Sequence, residues 1–139
     1  VILVYTGQPV ENNTGYARYT ESTFTESVRL WLRSNPREII ITTVERNKAR
    51  VEQLIEPLRQ NNDKIIIVTA PLANKRHQLI LGVKAAKGEI LALVDDDVYW
   101  RVSTVVPYLL ALFEDAEVGA VAGIQRSETP DSMPILSTT

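Results

Sequence analysis

Short β-branched apolar runs separated by stretches of helical period constrain this chain more than any other feature. The runs are Val1 to Val4, Glu38 to Val44, Lys64 to Val68, Glu89 to Val94 and Val118 to Ala122. Most are continuously apolar, as expected for strands of a parallel sheet covered on both faces; a half-exposed strand would alternate. Between them, Phe24, Val28 and Trp31 share one helical face, Thr23 and Glu26 have capping-box spacing, and Asn35-Pro36 supplies a stop. A second helix is expected near Asn47 to Gln60, with Val51, Leu54, Ile55 and Leu58 together and Pro57 set to kink or shorten it. A third runs from about Asn74 to Lys87 and stops at Gly88. A fourth follows Ser103, with Pro107 tolerable only near its first turn.

This alternation predicts an α/β fold, an open and mostly parallel sheet with helices on both faces and right-handed crossovers. The 139 residues fit a single domain, 1–139, with its own core. The abrupt apolar start at Val1 and the irregular Ser127 to Thr139 read as the ends of an excised segment. In such sheets ligands bind outside the carboxyl ends of the strands, so the informative residues are those just after each strand.

The sharpest signal lies there. Ile90 to Val94 runs directly into Asp95-Asp96-Asp97. If the strand stays extended, Asp95 and Asp97 point to one side and Asp96 to the other, which gives a pair of hard oxygen donors. Such a pair suits Mg²⁺ or Mn²⁺, and a cation shared with a diphosphate would relieve the repulsion between the carboxylates. The plainer alternative is a solvated acidic turn capping the helix that follows Ser103. Acidic strand ends also occur in receiver-like phosphoacceptor domains, but those place an acidic pair after the first strand. Here Tyr5-Thr6-Gly7-Gln8-Pro9 holds no acid.

Lys75 and Arg76 open the third helix, where the helix dipole disfavours cations unless an anion binds beside them. Two solvated charges are the alternative. Thr6 and Gly7 after the first strand, and Glu45 after the second, are placed to meet a base or ribose, or are ordinary loop polarity. Tyr99 and Trp100 could stack on a sugar ring, although such aromatics more often bury against the sheet. His77, the only histidine, needs no special role.

Charge and composition remove other classes. A net charge of −2 argues against a general nucleic-acid binder, which needs a surplus of Lys and Arg. With no Cys, disulfides and thiolate metal sites are impossible. No run approaches the roughly 18 apolar residues of a membrane span, so the piece reads as soluble.

The ordered set resembles glycosyltransferase family 2. The stretch NKRHQLILGVKAAKGEILALVDDDVYW, Asn74 to Trp100, is similar to the segment in which a basic helix start and a small-residue helix lead to an apolar strand ending in D-x-D. Val118 to Gly123 resembles the next strand of hyaluronan and chitin synthase-like members; the whole is similar to the hyaluronan, chitin and cellulose synthase-like branch, with fungal capsular-polysaccharide-synthase-like sequences closest in feel. The resemblance implies a GT-A fold and a metal-dependent, inverting transfer from a UDP-sugar donor to a polysaccharide or oligosaccharide acceptor. It implies that Lys75, Arg76 and Asp95 face the nucleotide-sugar, with Asp97 and Asp95 on the metal; Thr6, Gly7, Glu45 and Asp96 join the nucleotide-sugar set by their position at the strand ends. The first turn departs from the usual Pro-Thr-Tyr-Asn-Glu-like pattern. The resemblance also implies a catalytic base beyond Thr139 and membrane helices elsewhere in a longer protein, with this domain on the cytosolic face. The alternative function is a noncatalytic nucleotide- or metal-binding module on the same scaffold.

Overall fold

A computed structural model describes residues 2–6, 21–60, 62–96 and 98–125. It divides into two compact units, Val1–Val106 and Pro107–Thr139. In the first, β1 (Ile2–Thr6), α1 (Glu21–Arg33), β2 (Glu38–Val44), α2 (Lys48–Arg59), β3 (Ile65–Ala70), α3 (Lys75–Ala85) and β4 (Leu91–Val94) alternate. The four strands form one parallel sheet in the order β3-β2-β1-β4.

Side-chain parity explains the two cores. Ile39 and Ile41 of β2, with Ile65 and Val94, pack with Phe24, Val28 and Trp31 of α1 and Val51 and Ile55 of α2. Ile40 points to the other face, where Ile66, Val68, Leu91 and Leu79 of α3 surround it. Every residue of β2 is buried, which is why its sequence carries no polar alternation. Right-handed crossovers give the same result: moving from β1 to β2 to β3 puts α1 and α2 on one face, and crossing back to β4 puts α3 on the other.

The α/β fold with its parallel sheet and helices on both faces is therefore observed, and several local expectations are corrected. Helix α1 begins at Glu21, so Thr23 lies inside its first turn and is not its cap; Glu26 instead pairs with Arg29 one turn on. Asn35 does end this helix, in the left-handed region at φ 50, which Asn tolerates better than most residues. Helix α2 runs through Pro57 without being shortened. Pro57 and Gln53, whose carbonyl loses its partner, are both exposed, so water can satisfy that oxygen. Helix α3 stops at Ala85, earlier than Gly88 suggested, because the Lys87 N–H turns away to the buried Glu38 carboxylate at 3.1 Å.

The second unit begins inside α4 (Val105–Ala111), which carries Pro107 in its first turn as expected. A short 3-10 turn, Leu112–Glu114, follows. Val118 to Ala122 is not a strand: the segment has no ladder partner among the described residues, and its Gly119, Ala120 and Ala122 have little β preference of their own.

Candidate functional site

The strand order makes one crevice special. The chain travels from β1 outward to β3, then returns to the far side of β1 as β4, so the strand order reverses at the β1/β4 junction, with α1 and α3 on opposite faces of the sheet. Ligands of open α/β sheets bind at the carboxyl end of such a junction. The register pairs Tyr5 with Val94, so Thr6 and Asp95 stand level at that end.

The strand does not stay extended through the acidic residues. It ends at Val94, and the Val98 N–H donates to the Asp95 carbonyl at 3.2 Å, closing a turn over 95–98. The expected alternation of Asp95 and Asp97 involves a residue outside the described ones. Asp95 is exposed and Asp96 is partly buried within the turn; Asp97 lies outside the described residues. The turn is also held from below. Trp31 of α1, fully buried, donates its indole N–H to the Val98 carbonyl at 3.2 Å.

Helix α3 brings the basic residues to the same edge. Asn74 is its cap, the side-chain oxygen accepting from the His77 N–H at 3.0 Å, and Lys75 is the first helical residue. The Lys75 ammonium donates to the Asp95 carboxylate with Nζ and Oδ1 2.5 Å apart. The two side chains are 67% and 51% exposed. A pair that open contributes about 0–1 kcal/mol to stability. It offsets the unfavourable position of a cation at a helix N-terminus and leaves both groups accessible. Arg76 is exposed beside it. Gln78, one turn further, is 1% exposed and donates from Nε2 to the Thr42 carbonyl of β2 at 3.4 Å, tying the first turn of α3 to the sheet.

The other sequence candidates take their places around this edge. Thr6 is the last residue of β1, and Gly7 lies outside the described residues. Glu45 is exposed and opens a 3-10 turn directly after β2. The structure thus brings Thr6, Glu45, Lys75, Arg76, Asp95 and Asp96 to the carboxyl edge of one sheet, where Lys75 and Asp95 are in direct contact. Trp31 and Gln78 were not singled out as site residues. Gln78 had a signal, a polar residue aligned with Gly82 and Ala85 on the inward stripe of α3. Trp31 had none, because its spacing reads only as core.

Among the described residues no group of three or more metal-ligating side chains forms. A cation carried with a diphosphate needs no such cage, since Mg²⁺-type ions commonly take one or two carboxylates, phosphate oxygens and water. The exposed carboxylate of Asp95, a hard donor at the mouth of the β1/β4 crevice, fits that kind of binding. Lys75 and Arg76 add positive charge for phosphate oxygens.

Comparison with known proteins agrees with this geometry. A family model described as glycosyltransferase like family 2 matches residues 17–139. The NDP-glycosyltransferase ltbB of Aspergillus luteorubrus is 78% identical over 112 residues, covering 80% of this chain and 27% of that protein. A type 2 glycosyltransferase of Zymoseptoria tritici is 35% identical over 107 residues, covering 77% of this chain and 22% of its own length. The chain therefore spans little more than a quarter of such relatives at most. Among solved structures, the mannosyltransferase PcManGT from Pyrobaculum calidifontis, in complex with GDP-Man and Mn²⁺, superposes with a TM-score of 0.70. That match covers 90% of this chain and 35% of the mannosyltransferase at 18% identity, a likeness of fold.

Proposed function

The chain belongs to the glycosyltransferase-like family 2, and from that premise we propose that it is the donor-binding half of a metal-dependent, inverting glycosyltransferase domain. The observation that carries the reading is the meeting of Asp95 and Lys75 at the carboxyl end of the β1/β4 junction. One group offers a carboxylate to a cation and the other an ammonium to a phosphate.

The donor is a nucleoside diphosphate sugar, and we assign UDP as its nucleotide. Thr6, Gly7 and Glu45 face the base and ribose, Lys75 and Arg76 the diphosphate, and Asp95 with Asp97 the cation, Mn²⁺ or Mg²⁺. The GDP-Man and Mn²⁺ in the Pyrobaculum structure support the metal assignment and make GDP the competing nucleotide. When bound, the cation offsets charge developing on the departing diphosphate. The residues of this chain hold that diphosphate in place: Lys75 and Arg76 donate to its oxygens, and the turn closed between Asp95 and Val98 fixes the first carboxylate.

The acceptor is a growing polysaccharide or oligosaccharide, and the base that takes its proton belongs to sequence after Thr139. The longer protein would carry membrane helices and place this half on the cytosolic side; no helix of the described residues is long and apolar enough to cross a membrane. Transfer is tested on the longer protein with radiolabelled UDP- and GDP-sugars, Mn²⁺ and oligosaccharide acceptors. Metal-dependent labelling of the acceptor supports the reading. Metal-dependent nucleotide binding without transfer would favour a noncatalytic module on the same scaffold.

A further inference from the structure

We propose that Trp31 is a positioning residue for the acidic turn, acting through Val98 to set where the Asp95 carboxylate stands. The inference rests on the reading of that turn as the metal-nucleotide site. Trp31 is on α1, 67 residues from its partner, and is 0% exposed. Its ring fills the core beneath the sheet with Phe24, Val28 and Ile55, and Val98 and Trp100 pack against the same cluster.

The indole has one N–H and no acceptor, so a buried indole must find a carbonyl or leave its donor unsatisfied. It finds the Val98 carbonyl at 3.2 Å. The same peptide segment closes the turn, the Val98 N–H reaching the Asp95 carbonyl at 3.2 Å. Val98 is therefore held on both sides, by its amide to the first acid and by its carbonyl to the core. A strand that ended without this tie would leave the acidic segment free to spread under its own charge repulsion. With the tie, the rigid α1 and sheet set the height of the turn above the crevice, at the level of Thr6. Packing alone would be met by Phe or Leu at position 31; the hydrogen bond requires the indole.

The test separates the N–H from the ring. Benzothienylalanine placed at position 31 exchanges the indole N–H for sulfur and keeps the shape; Trp31→Phe is the genetic counterpart. Ile55→Val, a change in the same core that removes a methylene group and no hydrogen-bond donor, is the control for general loosening. Mn²⁺-dependent binding of UDP and of GDP is measured by calorimetry, alongside exchange of the Val98 amide. Losing one such hydrogen bond predicts metal-nucleotide affinity about threefold to tenfold weaker and faster Val98 exchange in both position-31 variants. Ile55→Val keeps the unsubstituted affinity, even where its melting temperature falls as far. Position-31 variants that bind as Ile55→Val does would overturn the inference while leaving the site intact. Absence of any metal-dependent binding by the unsubstituted protein would overturn the parent reading and this inference together.

Discussion

Lys75 and Asp95, 20 positions apart, meet where α3 begins and β4 ends, the ammonium donating to the carboxylate across the crevice mouth. The contact joins two elements the crossover must bring together, because α3 is the connection that carries the chain from β3 back past β1. Both side chains remain more than half exposed. A pair so placed contributes little to folding and stays available to ligands.

Its energetic modesty is testable. A double-mutant cycle of Lys75→Met and Asp95→Asn, followed by urea unfolding, is expected to give a coupling energy below about 1 kcal/mol, smaller still in high salt. A coupling of several kcal/mol would mean that the pair is a structural clamp.

Asp95→Asn and Asp97→Asn are each expected to abolish Mn²⁺-dependent nucleotide binding while moving the melting temperature by no more than about 3 °C. The proposed role of the lost group is that of a cation ligand, and Asp95 is exposed, outside both cores. Thermal unfolding and calorimetry on the same samples check both halves of the statement.

Replacing Lys75 and Arg76 together by Ala is expected to weaken UDP about tenfold or more and uridine hardly at all, since their proposed partner is the diphosphate. Competition with the nucleoside and the nucleoside diphosphate reads the difference. Equal losses would move these residues to the base or ribose.

Glu45 opens the 3-10 turn directly after β2 and is exposed. Glu45→Ala is expected to change the ratio of UDP to GDP affinity at least threefold, about the worth of one hydrogen bond, with the Mn²⁺ requirement unchanged. Parallel titrations with the two nucleotides measure that ratio.

Much of the fold was legible because burial on both faces leaves a direct trace. Glu38 to Val44 was read as a strand and is β2 to the residue, each side chain buried. Val118 to Ala122 carries a similar apolar signature without a ladder partner among the described residues, and periodicity does not report partners. Gly88 does not mark the end of α3 because the decisive event is distant in sequence: Glu38 of β2 captures the Lys87 amide. The same limit applies at the site. Lys75 and Asp95 were each recognisable from strand and helix ends, but their meeting depends on the crossover geometry. Trp31 showed the helical spacing of a core residue, and its second role through the Val98 carbonyl is made by one N–H whose partner no local pattern reveals.

The central claim is that the carboxyl edge between β1 and β4 holds a nucleoside diphosphate through a divalent cation. Calorimetric titration of the protein with UDP and with GDP, in Mn²⁺ and again after chelation with EDTA, tests it most directly. Saturable binding of at least one nucleotide in Mn²⁺, lost with EDTA and lost in Asp95→Asn, is the expected result. Binding that is the same with and without the metal, or that survives removal of the Asp95 carboxylate, would contradict it.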